Sequence, residues 1–274
     1  MPESSLKVQI EASSWASVEG MDIPWMLGQW AEKQPEKICL IWRPFTGEQQ
    51  SWTYRELFDA ARRLAAGLKN RGVNTGDFVF IHMDNSPEFI ISWYGCAMLG
   101  AVAVSTNTRC VARDLSYFEE VVEPVCALTQ PKYAELIRAS CSQLRFIAVT
   151  DTDSGEPRED GGEIISAIDA ISFDELPGDK PSDLSRPDPA RNLSVQFTSG
   201  TTSRPKAVLW THGNGIWAGK TSAQHYRLRE DDITLIYMPL FHTNAQGLTL
   251  IHISEPTRLL SIWYGGVWVI KKRG

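Results

Sequence analysis

Basic charge is scarce in this sequence: 27 Lys and Arg stand against 33 Asp and Glu, for a net charge of −6. No basic block stands out, so nucleic acid is excluded as an expected partner. Paired cysteines are also lacking. The five, Cys39, Cys96, Cys110, Cys126 and Cys141, are odd in number, and no two have Cys-x-x-Cys spacing. No histidine sits near them at ligand spacing. Disulfides and zinc are therefore set aside, and free thiols in a reducing compartment, the cytoplasm, are expected. Long hydrophobic runs are absent too. The longest, around Phe89 to Val104, is interrupted by Ser92, Gly95 and Gly100, so no transmembrane segment is expected. Met1 is followed by Pro-Glu-Ser-Ser rather than by a basic and then an apolar segment, and no secretory signal is read there.

What is present is a large stock of core-forming residues. Of 274 residues, 43% are hydrophobic and ten are tryptophan, enough for one large domain or two small ones. Residues 1 to 22 read as a loose lead-in that runs into a short helix from Pro24 to Gln34. Lys37 to Arg43 reads as a strand. Thr53-Tyr54-Arg55-Glu56 is a Thr-x-x-Glu capping box. The helix it opens carries Leu57, Ala60, Ala61, Leu64, Ala65 and Leu68 at helical spacing and ends near Gly72. Strands are then predicted over 77–83, 101–104, 125–128 and 144–149. Helices are predicted over 88–99, with Ser86 as N-cap, 113–122 and 131–140. Such alternation predicts a layered α/β fold with largely parallel sheets. Residues 151–189, rich in Asp, Glu, Gly, Pro and Ser, read as an acidic surface excursion with a short helix near Ser172 to Leu176.

The segment that carries chemistry is Phe197-Thr198-Ser199-Gly200-Thr201-Thr202-Ser203-Arg204-Pro205-Lys206. Apolar and polar residues alternate before it, from Leu193 to Phe197, and Ala207 to Trp210 after it has strand length. It therefore reads as a hydroxyl-rich loop between two strands. Hydroxyls and backbone N–H groups donate to phosphate oxygens, Gly200 lets the backbone approach closely, and Lys206 adds a point charge. A Walker P-loop does not fit. Pro205 stands where its second glycine belongs, Ala207 where its metal-binding hydroxyl belongs, and a strand rather than a helix follows.

Thr-Ser-Gly-Thr-Thr-x-x-Pro-Lys between two strands resembles the phosphate loop of the adenylate-forming family, which comprises acyl-CoA synthetases, luciferases and peptide-synthetase adenylation domains. Ser203 and Ala207 depart from the commoner glycines, and the Thr-Thr-Ser-Arg-Pro-Lys form is similar to the carnitine/crotonobetaine–CoA ligase branch. Pro239-Leu240-Phe241-His242-Thr243-Asn244 resembles the family's Pro-x-Phe-His segment. Asp84 to Phe89 resembles its Asn-x-x-Glu helix start, read here simply as a capped helix. His212 is read as a residue that caps or packs at a helix start.

The resemblance implies the N-terminal part of the large domain of an acyl-adenylate synthetase. It implies an enzyme that activates a carboxylic acid, fatty or carnitine-like, to acyl-AMP and then acyl-CoA, with ATP, Mg2+ and coenzyme A. Because ATP is anionic and the chain acidic, local positive charge must bind it. Thr198, Ser199, Gly200, Thr201, Thr202 and Lys206 are the implied phosphate-binding residues, and His242 and Asn244 the implied border of the acid pocket. The family's Tyr-Gly-x-Thr-Glu segment, its ribose-binding aspartate and its small C-terminal domain with a catalytic lysine are not found in the 274 residues. No metal ligand or catalytic residue is therefore assigned, and the chain alone is expected to be inactive. A non-catalytic nucleotide-binding fragment and an adenylation domain feeding a carrier protein remain as alternatives. Residues 251–258 read as an insertion or a sequence error, because Pro256 falls where relatives continue a helix and would break it at a cost of roughly 3 kcal/mol.

Overall fold

In the computed structural model, residues 17–44, 48–154, 156–157, 160–198, 204–254 and 258–262 are described. Helix α1 (Ile23–Lys33) starts at Asp22, whose carboxylate accepts the Trp25 N–H, and has proline in its first turn. Strands β1 (Ile38–Arg43) and β2 (Gln50–Thr53) pair antiparallel. Thr53 then caps α2 (Tyr54–Asn70). Its hydroxyl accepts the Glu56 N–H at 3.2 Å, and the Glu56 carboxylate accepts the Thr53 N–H at 2.8 Å, the reciprocal pair that the sequence predicts.

Strict alternation follows: β3 (Phe78–His82), α3 (Pro87–Leu99), β4 (Val102–Ser105), α4 (Ala112–Val122), β5 (Cys126–Thr129), α5 (Pro131–Ser140) and β6 (Phe146–Val149). Ser86 caps α3 by accepting the Phe89 N–H, and Gly100 ends it in the left-handed region at φ 80°. Next come a two-residue ribbon, β7 (Thr152–Asp153) with β8 (Glu156–Pro157), then α6 (Gly161–Ala167) and β9 (Ile171–Ser172). The described chain closes with β10 (Asn192–Phe197), β11 (Ala207–Thr211), α7 (His212–Tyr226), β12 (Ile233–Ile236), α8 (Thr243–Ser254) and β13 (Arg258–Ile262).

The main sheet has seven strands in the order β11-β10-β4-β3-β5-β6-β9. All neighbours are parallel except the edge pair β10–β11. Helices cover both faces, as parallel sheets require. Leu64, Phe89, Trp93, Ile216 and Ala245 from α2, α3, α7 and α8 pack on one face. Leu115, Phe118, Ala134 and Ile137 from α4 and α5 pack on the other. A second sheet, β12-β13-β1-β2, is parallel except at β1–β2. The layered, largely parallel α/β fold is thus the one expected. In the main sheet, β4 lies on one side of β3 and β5 on the other. Strand order reverses there, and crevices open at the carboxyl ends of such strands.

Residues 151–189 hold more structure than their composition suggests. They contribute α6, the strand β9 and a 3-10 turn over Phe173–Glu175. Phe173 and Leu176 enter the first core. The chain then crosses α2, where the Gly178 N–H donates to the Arg63 carbonyl at 2.8 Å and the Ser182 N–H to the Arg62 carbonyl at 3.1 Å. A Cβ on Gly67 would stand 1.6 Å from the Leu176 carbonyl oxygen, so glycine is required at this crossing. At the other end, residues 251–254 form the last turn of α8 and Arg258 opens β13; 255–257 lie outside the described residues.

His212 is fully buried, and its Nδ1 accepts the Ile23 N–H at 3.2 Å. It ties the start of α7 to the start of α1, the packing role expected of it. Burial, helped by Arg191, lowers its pKa to about 3.

Candidate active site

The β10–β11 hairpin carries the hydroxyl-rich loop past the carboxyl end of β10. Its base is closed by the Thr198 N–H donating to the Lys206 carbonyl at 3.0 Å and the Lys206 N–H donating to the Thr198 hydroxyl at 3.3 Å. On the outer side, the Tyr117 hydroxyl donates to the Pro205 carbonyl at 3.0 Å, and the Arg204 guanidinium lies 5.2 Å over the Tyr117 ring. Phe197 stacks on Phe118 of α4 with centroids 3.8 Å apart. The two ends of the loop are therefore fixed against α4. Ser199, Gly200, Thr201 and Thr202 lie outside the described residues.

Thr198 lines a cleft of about 460 Å³ together with Ser105 of β4, Gln196 of β10, and Phe241, His242 and Thr243 before and at the start of α8. The loop base and the Phe-His segment, 44 residues apart in sequence, thus meet around one opening. Pro205 also lines it, and Lys206 beside it is exposed. Asn244 is exposed on α8 and is not among the residues lining the cleft.

The Phe-His segment is held from below by Asn85. Its amide donates to the Met238 carbonyl at 2.9 Å, and its amide oxygen accepts the Leu240 N–H at 2.6 Å. Read from sequence as part of a capped helix start, the Asp84–Phe89 segment divides two tasks. Ser86 caps α3, and Asn85 positions the turn that presents His242. The signal was the asparagine placed one residue before the cap, where α3 itself has no need of its side chain.

Beneath the cleft the polar groups are buried. Gln196 and Gln246 are 8% and 7% exposed. The Gln196 amide donates to the Gln246 amide oxygen at 2.5 Å, the Gln246 amide donates to the Ser105 hydroxyl at 2.9 Å, and the Thr243 hydroxyl donates to the Gln196 amide oxygen. Nothing in the sequence singled out these residues.

Residues 27–255 match the family described as AMP-binding enzyme, and the matched segment covers more than half of the chain.

The chain belongs to the AMP-binding enzyme family.

Over 236 residues it is 33% identical to crotonobetaine/carnitine–CoA ligase of Escherichia coli O127:H6, a match that covers 84% of this chain and 44% of that protein. A solved fatty acyl CoA synthetase of Mycobacterium tuberculosis aligns with a TM-score of 0.71 at 25% identity, covering 89% of this chain and 45% of that one. Acetoacetyl-CoA synthetase from Streptomyces lividans shares the fold, with a TM-score of 0.74 at 22% identity, over 88% and 38%. The chain spans less than half the length of each.

In this chain a second crevice, of about 260 Å³, opens beside the first at the carboxyl end of β3. Asp84, Thr108, Arg109, Tyr133, Tyr237 and Phe241 line it. Asp84 accepts from Lys132 Nζ at 2.5 Å, the Thr108 hydroxyl at 2.8 Å and the Tyr133 hydroxyl at 3.0 Å. Burial pushes its carboxyl up, but Lys132 and the two hydroxyls together outweigh that and hold it below the usual range. Phe241 stands between the two crevices and lines both.

Proposed function

We propose that the whole protein is an ATP-dependent acid–thiol ligase, and that this chain carries its phosphate-binding loop and part of its acid pocket. In the first half-reaction a carboxylate oxygen of the acid attacks the α-phosphorus of ATP. The bond from that phosphorus to the bridging oxygen breaks, and pyrophosphate leaves. In the second, the thiolate of coenzyme A attacks the acyl carbon and AMP leaves. The observation that carries the proposal is the meeting of Thr198 with Phe241 and His242 around one cleft at the carboxyl edge of a parallel sheet, within a chain of this family.

Thr198 and the loop residues Ser199, Gly200, Thr201 and Thr202 supply hydroxyls and backbone N–H groups to the β- and γ-phosphates, and Lys206 offsets charge on the leaving pyrophosphate. His242, which lines the same cleft, borders the acid, whereas Asn244, exposed on α8 and outside the cleft lining, is not given that role. The work of His242 is orientation: the acid oxygen must lie within a near-attack distance of the α-phosphorus, and a fixed rim sets that distance. Among the described residues, no group of three or more His, Cys, Asp or Glu side chains could hold a metal ion. Mg2+ would arrive here on the oxygens of the triphosphate.

The name of the Escherichia coli relative points to a carnitine-like acid, and that of the Mycobacterium tuberculosis neighbour to a fatty acid. The test is ATP–pyrophosphate exchange by the purified protein across a panel that spans both classes. Acid-dependent exchange supports the proposal. ATP binding without exchange for any acid would leave a nucleotide-binding function only.

A further inference from the structure

A cation serves a leaving pyrophosphate only where its backbone is held in place. Three hydrogen bonds meet at Lys206 and at the peptide unit that joins it to Pro205. The Thr198 N–H donates to the Lys206 carbonyl at 3.0 Å, and the Lys206 N–H donates to the Thr198 hydroxyl at 3.3 Å. Both bonds lie within the β10–β11 hairpin, so they fix its width and leave its direction open. The third comes from outside. The Tyr117 hydroxyl of α4 donates to the Pro205 carbonyl at 3.0 Å, which belongs to the same peptide unit as the Lys206 N–H.

The surroundings make that bond a firm one. Leu115 and Phe118 root α4 in the core, and Phe118 stacks on Phe197 at the end of β10. Proline fixes φ at 205, which removes one of the two rotations by which the held peptide plane could swing away. The Arg204 guanidinium lies 5.2 Å over the Tyr117 ring, a cation–π contact. Of the two cations at this end of the loop, α4 therefore engages one. The amine of the other, Lys206, makes no hydrogen bond or ion pair among the described residues. Pro205 lines the cleft and Tyr117 does not, so Tyr117 reaches the site through the loop and touches no substrate.

We infer that Tyr117 is a positioning residue for the adenylation step. Through the Pro205 carbonyl it sets where Lys206 meets the leaving pyrophosphate, and Arg204 serves this clamp rather than the phosphates. This rests on the adenylate-forming function proposed above.

The test is single-turnover acyl-AMP formation by the purified protein as a function of ATP, with backbone hydrogen exchange across residues 197–209 measured alongside. Tyr117→Phe keeps the ring and loses only the hydroxyl. Its maximum rate should fall about tenfold, the upper end for one neutral hydrogen bond felt wholly in the transition state. Half-saturation by ATP should change less than about twofold, the pattern of an interaction made in the transition state alone. In a Lys206→Ala background the same substitution should slow the reaction no further, because the clamp acts through that lysine. Hydrogen exchange of the loop should quicken about tenfold. Arg204 is exposed, so Arg204→Gln keeps the fold. Its maximum rate should fall about threefold, as for an exposed cation–π contact, with ATP half-saturation unchanged.

A wild-type rate with wild-type loop exchange in Tyr117→Phe would overturn the inference, and so would a loss that simply multiplies with that of Lys206→Ala. A raised ATP half-saturation in Arg204→Gln would put that cation on the phosphates and overturn its place in the clamp. Wild-type protein that forms acyl-AMP from no acid would overturn the adenylate-forming function instead. Loop hydrogen exchange then decides the clamp by itself: quickened in Tyr117→Phe it supports the hold on Pro205, and unchanged it overturns it.

Discussion

Replacing Asn85 with alanine should separate the Phe-His segment from the fold beneath it. The side chain is 6% exposed and makes two hydrogen bonds to the segment that leads to His242. Alanine leaves the Leu240 N–H without its partner, next to a side chain that is 1% exposed, so water has poor access there. A buried donor stranded in this way costs about 1–3 kcal/mol. The Met238 carbonyl loses its donor too, but Met238 is only half-buried and can recover part of the loss from water. The sum is roughly 2–4 kcal/mol. At about 2–4 °C per kcal/mol for a domain of this size, Tm falls by roughly 5–15 °C. Urea titration and calorimetry measure the stability, and acyl-adenylate mimic binding measures the site. Asn85→Asp keeps an acceptor for the Leu240 N–H but loses the donor to Met238, so a variant with intermediate stability is expected. A change below about 0.5 kcal/mol in Asn85→Ala, with mimic affinity unaltered, would refute the positioning role, since that is the range of an ordinary surface substitution.

Lys206→Ala should slow single-turnover acyl-AMP formation by about 10²–10³, the usual loss for one preorganised group facing developing charge; a wild-type rate would leave the loop a structural hairpin. His242→Ala should reorder the accepted acids by about tenfold while ATP affinity stays near wild type, and a loss of stability with the acid order unchanged would make it a packing residue. Stability should fall as pH drops from about 6.5 to about 4. Burial lowers the pKa of His212 to about 3 and of His82 to about 4, so the unfolded chain takes up protons first. Each histidine then contributes a slope of up to about 1.4 kcal/mol per pH unit. Urea midpoints at pH 7, 5.5 and 4.5 measure it. His212→Gln, which keeps an acceptor for the Ile23 N–H, should flatten the slope, and an unchanged slope would contradict the buried neutral imidazole.

Much of the fold was legible because local signals settle local structure. The Thr53–Glu56 capping box, Ser86 before Pro87 and Gly100 after Leu99 each act within a few residues, and each element begins or ends where those residues place it. The 151–189 segment was read less well. Its composition describes a solvated surface, but β9 and the crossing over Gly67 are fixed by partners more than a hundred residues away in the second case and on the neighbouring strand in the first. No local pattern encodes such partners.

The site divides along the same line. The string from Thr198 to Lys206 and the Phe241-His242 pair could be picked out from sequence because their chemistry lies in residue type and order. Asn85 lay in a segment that the sequence marked only as a capped helix start, and Gln196 and Gln246 could not be picked out at all. A strand written Leu-Ser-Val-Gln-Phe leaves its polar positions free to face water, yet Ser194 and Gln196 are both buried. The sequence by itself determined an alternating α/β chain and a phosphate-type loop, since periodicity and capping act at short range. Only the tertiary structure decided that α8 covers that face of β10, turning one glutamine into the buried partner of another, because burial depends on which elements meet across the sheet.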